Sequence, residues 1–165
     1  MHRLILLRHA KSAYPSGVHD HDRPLNERGR RNAKTIVERL REYLPANEKA
    51  SAAVSSAVRA QQTWSYVHAV TAMAYRSEPA LYLAEPDVVL AIASRLTTAV
   101  GIVVGHNPGL EDLARSAIGA RSIQDRSTTA RMWEKFPTSS FAVLECADGS
   151  WNPGEITCVG FAVCR

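Results

Sequence analysis

The 165-residue chain has only three cysteines, Cys146, Cys158 and Cys164, all close to its C-terminal end. An odd number in one region, at spacings that match no zinc pattern, argues against a disulfide framework and against a structural metal. Buried thiols in a reducing cytoplasm are the expectation. Nowhere does the chain offer the roughly 20 apolar residues that a bilayer span needs. The apolar run between Arg3 and Arg8 is too short for the h-region of a secretory signal. Lys and Arg outnumber Asp and Glu by 20 to 16, a formal charge of +4. No long basic run and no basic patch interleaved with aromatics accompanies that excess. Neither nucleic acid nor a membrane is therefore an expected partner. A glycine-rich Walker loop is absent too, which removes P-loop nucleotide handling. No coiled coil or long exposed apolar helix is visible, so a monomer is expected. With no internal repeat and no linker, residues 1–165 read as one domain, long enough to bury most of its apolar surface.

What the chain does have begins with Leu4-Ile5-Leu6-Leu7-Arg8-His9-Ala10-Lys11-Ser12. Four aliphatics without a charge predict a buried strand, and the run breaks abruptly into Arg-His. In an open parallel sheet, ligands sit beyond the carboxyl ends of the strands. A guanidinium clamps two oxygens and keeps its charge. An imidazole can be neutral and nucleophilic near pH 7. Attack of His9 on a phosphoryl group is the working hypothesis. Taken alone, the dipeptide is equally compatible with a strand that merely ends in two polar residues.

Residues 13–24 predict a loop. Its cluster His19-Asp20-His21-Asp22-Arg23 reads as a polar loop over the site rather than a metal site, because adjacent loop residues rarely converge on one ion. Asp22-Arg23-Pro24-Leu25 fixes the loop and the entry to the next helix. Asn26 is a good N-cap for a helix to about Leu44, with Pro45 ending it. Ala33, Ile36, Val37, Leu40, Tyr43 and Leu44 form its apolar stripe, and Gly29 weakens it slightly. Residues 52–55 predict a short strand. Ser56 is the expected N-cap of the following helix, which puts Arg59 in its first turn, where an anion would explain a basic residue. Trp64, Val67 and Val70 read as core. A short strand at Tyr75-Arg76, a loop over 79–85 and a helix from Pro86 follow, the last with the stripe Val88, Val89, Ile92, Ala93 and Leu96.

Residues 100–104 repeat the opening pattern: an apolar strand, then Gly105-His106-Asn107-Pro108. Gly105 permits a tight turn, Asn107 is an expected N-cap and Pro108 an expected first helical residue. His106 then sits just before a helix N-terminus, a place that attracts anions. The next helix carries Leu110, Leu113, Ala114, Ala117 and Ile118 on one face. Residues 120–139 give no clear pattern beyond a helical turn near Met132-Trp133. Residues 140–146 and 155–163 predict a hairpin.

Arg8, His9, Arg59 and His106 would therefore gather at one sheet edge, with no carboxylate among them, as a pocket for a dianion. The segments that carry them resemble the histidine phosphatase superfamily, with its phosphoglycerate mutase-like fold. The residues concerned are Leu6 to Ser12, Asp22 to Leu25, Ser55 to Thr63 and Gly105 to Pro108. The form of the first two is similar to the short SixA-like phosphohistidine phosphatase branch. The resemblance implies a three-layer α/β/α sandwich with a mostly parallel central sheet. It makes His9 the nucleophile and gives Arg8, Arg59 and His106 the phosphoryl oxygens, with no metal and no cofactor. Lys11, Ser12 and Asn107 become candidate substrate contacts. Larger members place an acid after the Arg59-like helix; Glu85 is its only counterpart here and could equally begin the helix at Pro86. The implied substrate is a phosphorylated protein, with a small phosphate ester as the alternative. A non-catalytic phosphate-binding module is a further alternative, against which the presence of a nucleophile argues.

Overall fold

A computed structural model describes residues 1–44, 49–117, 126–152 and 155–165, the side chains of 126–129 excepted. Six strands carry the fold: β1 (His2–Arg8), β2 (Ala50–Ser55), β3 (Ala74–Glu78), β4 (Val100–Gly105), β5 (Ser140–Cys146) and β6 (Thr157–Val163). They form one sheet in the order β3-β2-β4-β1-β5-β6. The β3, β2, β4 and β1 neighbours pair in parallel; β5 and β6 are antiparallel additions beside β1. The mostly parallel sheet predicted above is thus present, closed at one side by the predicted hairpin. Pro153 and Gly154 of that connection, like Pro45, lie outside the described residues.

The β1 run is buried on both faces because successive side chains alternate across the sheet. Leu4 and Leu6 pack with Val103 against one layer, and Ile5 and Leu7 with Val104 against the other. Each of these aliphatics contributes about 1.5–3 kcal/mol relative to exposure. Helices α1 (Glu27–Leu40) and α2 (Val58–Thr71) cover the Ile5 face. Helices α3 (Pro86–Ala93) and α4 (Gly109–Ala117) cover the Leu4 face, joined there by Met132 of α5 (Arg126–Glu134).

Asn26 caps α1 as expected, its side chain accepting from the Gly29 N–H at 2.8 Å. The helix stops at Leu40 and tightens into a 3-10 turn over Arg41–Tyr43 rather than continuing to Leu44. Gly29 does more than weaken the helix. A Cβ there would lie 2.0 Å from the Lys11 carbonyl oxygen. That oxygen also accepts from the Asn26 N–H at 3.0 Å, so α1 starts directly against the chain leaving β1. Gly109 does the same for α4, whose start abuts the Ala84 carbonyl; a Cβ would come within 2.0 Å.

Three local expectations are corrected. The N-cap of α2 is Ala57, not Ser56, whose hydroxyl is engaged 2.9 Å from His21 Nε2 instead. Val70 is 53% exposed, at the edge of a shallow groove between α1 and α2, while Trp64 and Val67 are buried as expected. Asn107 does not cap α4, which begins at Gly109: its amide nitrogen is committed to the Glu111 carboxylate at 2.6 Å and the Phe136 carbonyl at 2.9 Å.

Candidate active site

The carboxyl ends of β1, β2 and β4 meet at one edge of the sheet. The His9 N–H bonds the Gly105 carbonyl at 3.2 Å, which ties the end of β1 to the end of β4. His9, Arg59 and His106 come together here as expected, and all are buried, at 7%, 3% and 3% exposure. The two imidazole centroids are 5.0 Å apart. Arg59, in the first turn of α2, reaches between them. Its Nε donates to His9 Nε2 at 3.2 Å, and its Nη2 lies 3.3 Å from His106 Nδ1.

These contacts determine both tautomers. His9 Nδ1 is 2.7 Å from the Ala10 carbonyl, which can only accept, so Nδ1 carries the proton. Nε2 then holds a lone pair, and it is this atom that meets the Arg59 N–H. His106 is reversed: Arg59 donates to Nδ1, so Nε2 carries the proton, which it donates to the Ser55 hydroxyl at 2.8 Å. Thr63 completes the support. Its hydroxyl accepts from the Ala10 N–H at 2.9 Å and donates to the Arg59 carbonyl at 2.7 Å.

Both rings are neutral. Burial pushes His9 down to about 3, aided by His106, Arg59 and Arg8. Burial likewise takes His106 down to about 3, with Arg59 next in weight. Desolvation, more than the neighbouring guanidinium charge, is therefore what keeps the imidazoles uncharged.

Arg8 lies at the same edge. Its Nη1 donates to the Phe136 carbonyl at 2.7 Å, while its buried Nε has no hydrogen-bond partner among the described residues. Burial lowers its pKa and the nearby Glu111 raises it. Arg8, His9, Arg59 and His106 line one open cleft of about 310 Å³, together with Lys11, Ser12 and Asn107. Ser12 is itself buried and held by the Arg23 guanidinium. Glu85 is not part of this group. It occupies the N-cap position of α3, is exposed, makes no capping hydrogen bond and is not among the residues lining the cleft.

The expectation of a pocket without a carboxylate is corrected by Asp20. This residue opens a 3-10 turn, Asp20–Asp22, in the loop over the site. Its backbone oxygen and Oδ2 accept from Arg59 Nη1 and Nη2 at 2.5 and 3.0 Å. Oδ1 accepts from Arg23 at 2.6 Å, and Oδ2 also accepts from the Tyr82 hydroxyl at 2.7 Å. The Tyr82 hydrogen bond, with Arg59 and Arg23, holds the Asp20 carboxyl down at about 2. Asp20, Ser55, Thr63 and Tyr82 were not singled out by sequence reasoning. Ser55 and Thr63 lie within the segment that contains Arg59, and Asp20 within the loop cluster; nothing in the sequence signals Tyr82. Among the described residues, no three or more His, Cys, Asp or Glu side chains are grouped to hold a metal. His21 turns to Asp22 and Ser56 while Asp20 turns to Arg59, which is why the loop cluster does not converge.

Residues 4–82 match the family model of the histidine phosphatase superfamily (branch 1). The chain belongs to that superfamily. It is 42% identical over 164 residues to the uncharacterized protein Rv1276c of Mycobacterium tuberculosis (strain H37Rv), covering 96% of this chain and 100% of the relative. Among solved structures it is similar to a SixA from Nakamurella multipartitia, with a TM-score of 0.82 and 26% identity over 98% of this chain and 95% of the other. A SixA from Agrobacterium tumefaciens is similar at a TM-score of 0.79 and 28% identity, covering 98% and 97%. Both are named as phosphohistidine phosphatases, an activity that is itself inferred for them. The chain is accordingly a hydrolase of the phosphatase class, acting on phosphorylated substrates. Its sheet flanked by helices is the phosphoglycerate mutase-like architecture of the superfamily.

Proposed function

We propose that this phosphatase hydrolyses phosphohistidine carried on protein, through a phospho-His9 intermediate and without a metal. The observation that carries the reading is the state of His9: neutral, protonated on Nδ1, with the Nε2 lone pair among guanidiniums. In the first step Nε2 attacks phosphorus, and the bond from phosphorus to the leaving nitrogen breaks with its electron pair going to that nitrogen. The phosphorylated ring is then cationic, with its Nδ1–H held by the Ala10 carbonyl. In the second step water displaces His9 from phosphorus and restores the neutral ring.

Such transfers need positioning and charge stabilisation more than covalent chemistry. Arg8, with its unpartnered buried Nε–H, and Arg59 supply fixed positive charge to the phosphoryl oxygens. Neutral His106 presents Nδ1 as an acceptor, so contact with a phosphoryl oxygen requires a proton there; the arriving dianion favours that protonation. Lys11 and Ser12 line the walls as secondary contacts; Asn107 lines them too, but its amide N–H groups are committed to Glu111 and Phe136.

Two features favour phosphohistidine over a sugar or alkyl phosphate. Among the described residues no carboxylic acid stands ready to protonate an alkoxide, since Glu85 does not line the cleft and Asp20 is ionised. A protonated imidazole leaves without that help. The cleft is also open, and Tyr14 and Leu83 on its walls are 74% and 53% exposed, which suits a residue on a protein surface.

Wild type and His9→Ala are to be compared on a chromogenic aryl phosphate and on a phosphohistidine peptide. Turnover of both by wild type alone is expected, with an acid-labile phosphoryl adduct trapped on wild type only. Equal turnover by the two proteins, or an acid-stable adduct, would overturn the assignment of His9.

A further inference from the structure

Asp20 poses a physical problem: an ionised carboxylate beside a site for a dianion repels the group the site must bind. The structure holds it there firmly. The Asp20 side chain is 47% exposed and covers an Arg59 side chain that is only 4% exposed. It receives hydrogen bonds from Arg23, Arg59 and Tyr82 on three separate segments. A carboxylate oxygen accepts about two hydrogen bonds. Oδ2 has two, from Arg59 and Tyr82, whereas Oδ1 has one, from Arg23. One acceptor position therefore remains on an exposed group that lines the cleft.

We infer that Asp20 is a specificity residue that selects substrates with a cationic leaving group, by accepting an N–H from the leaving nitrogen base through Oδ1. The inference rests on the reading of the chain as a phosphohistidine phosphatase and deepens it. In phosphohistidine, the ring nitrogen not bonded to phosphorus can carry a proton, and the ring is then cationic. A fixed carboxylate favours that form by direct charge attraction. When the P–N bond breaks, its electron pair returns to the ring, the proton stays on the far nitrogen, and neutral imidazole departs instead of imidazolate. An ester offers no such proton: its leaving oxygen gains negative charge, which Asp20 opposes. One side chain thus favours one substrate class and disfavours the other.

The groups facing Asp20 hold its own charge constant while the ring titrates. Arg23, Arg59 and Tyr82 bond it directly, and neutral His106 lies near enough to feel its charge. On its own segment stand His19, His21 and Asp22, of which His21 pairs with Asp22 and Ser56.

The test compares wild type with Asp20→Asn, which keeps the shape and removes the charge, on three probes: a phosphohistidine peptide, phosphoramidate and an aryl phosphate. For Asp20→Asn, kcat/KM on the two P–N substrates is expected to fall about tenfold or more, while that on the aryl phosphate rises. The alkaline limb of the phosphohistidine profile is expected to move down by about one pH unit. Equal falls on all probes, equal rises on all, or an unmoved alkaline limb would overturn the role of Asp20. Failure of wild type on the peptide, with the Asp20 effect intact on phosphoramidate, would overturn the protein-substrate reading and leave the role of Asp20 standing.

Discussion

Two layers of the site are built in opposite ways. The floor, made of His9, Arg59 and His106 at the ends of β1, α2's first turn and β4, is almost fully buried. The loop above it is exposed from Tyr14 through Asp20 and is held by side chains: Arg23 to Ser12, to the Ala13 carbonyl at 2.8 Å and to Asp20, and Tyr82 to Asp20. Burial makes the floor's imidazoles neutral and therefore reactive. Exposure lets the loop keep a carboxylate charged. The chemistry of transfer belongs to the floor and the choice of leaving group to the loop. Arg59 belongs to both, because it donates to His9 below and to Asp20 above.

That shared position makes Arg59 the place to break the distinction. Arg59→Lys keeps the charge but replaces a planar fork of donors with a single ammonium that cannot meet both rings and the loop. A loss of about 10²–10³ in kcat/KM is expected on both phosphohistidine and aryl phosphate, read by steady-state kinetics. A loss confined to one substrate would mean that Arg59 serves the loop alone.

Acid separates the layers more gradually. His9 and His106 have folded-state pKa values near 3, against an ordinary 6.5. Between those values the unfolded chain binds protons that the folded chain refuses, so stability falls as pH drops from about 6.5 toward 3. The ceiling is about 1.4 kcal/mol per pH unit for each ring. Asp20, depressed to about 2 from 3.8, adds its loss only below about pH 4. Urea unfolding at pH 7, 5.5 and 4.5 should show a steady decline over this range, and a flat profile would contradict buried neutral imidazoles.

The smallest effect is expected at Glu85, which lies in neither layer. Glu85→Gln should leave kcat/KM within about twofold on esters and phosphohistidine alike. A selective loss on esters would restore it as an acid.

Much of this was legible from local pattern. The strands β1 and β4 announced themselves as uncharged aliphatic runs that stop at functional residues, and Asn26 and the α1 stripe followed from capping and 3.6-residue periodicity. The misreadings share one cause. Ser56 and Asn107 have the right chemistry to cap a helix, but each hydrogen-bonds a distant residue, His21 or Phe136, that sequence spacing does not bring near. Val70 continues an apolar stripe, but it stands where the α1–α2 contact opens into a groove.

The chain's own order of residues determined which elements form and which side chains stand at their ends, because propensity, capping and periodicity act within a few neighbours. Folding alone decided what those side chains meet. The tautomer of His9 depends on the carbonyl of Ala10, a residue whose N–H is held by the Thr63 hydroxyl from another element. Its neutrality depends on burial by the assembled sheet and helices. The carboxylate over the cleft depends on three segments closing around Asp20. Electrostatics and hydrogen bonds act through space, over distances set by the packed chain rather than by position along it.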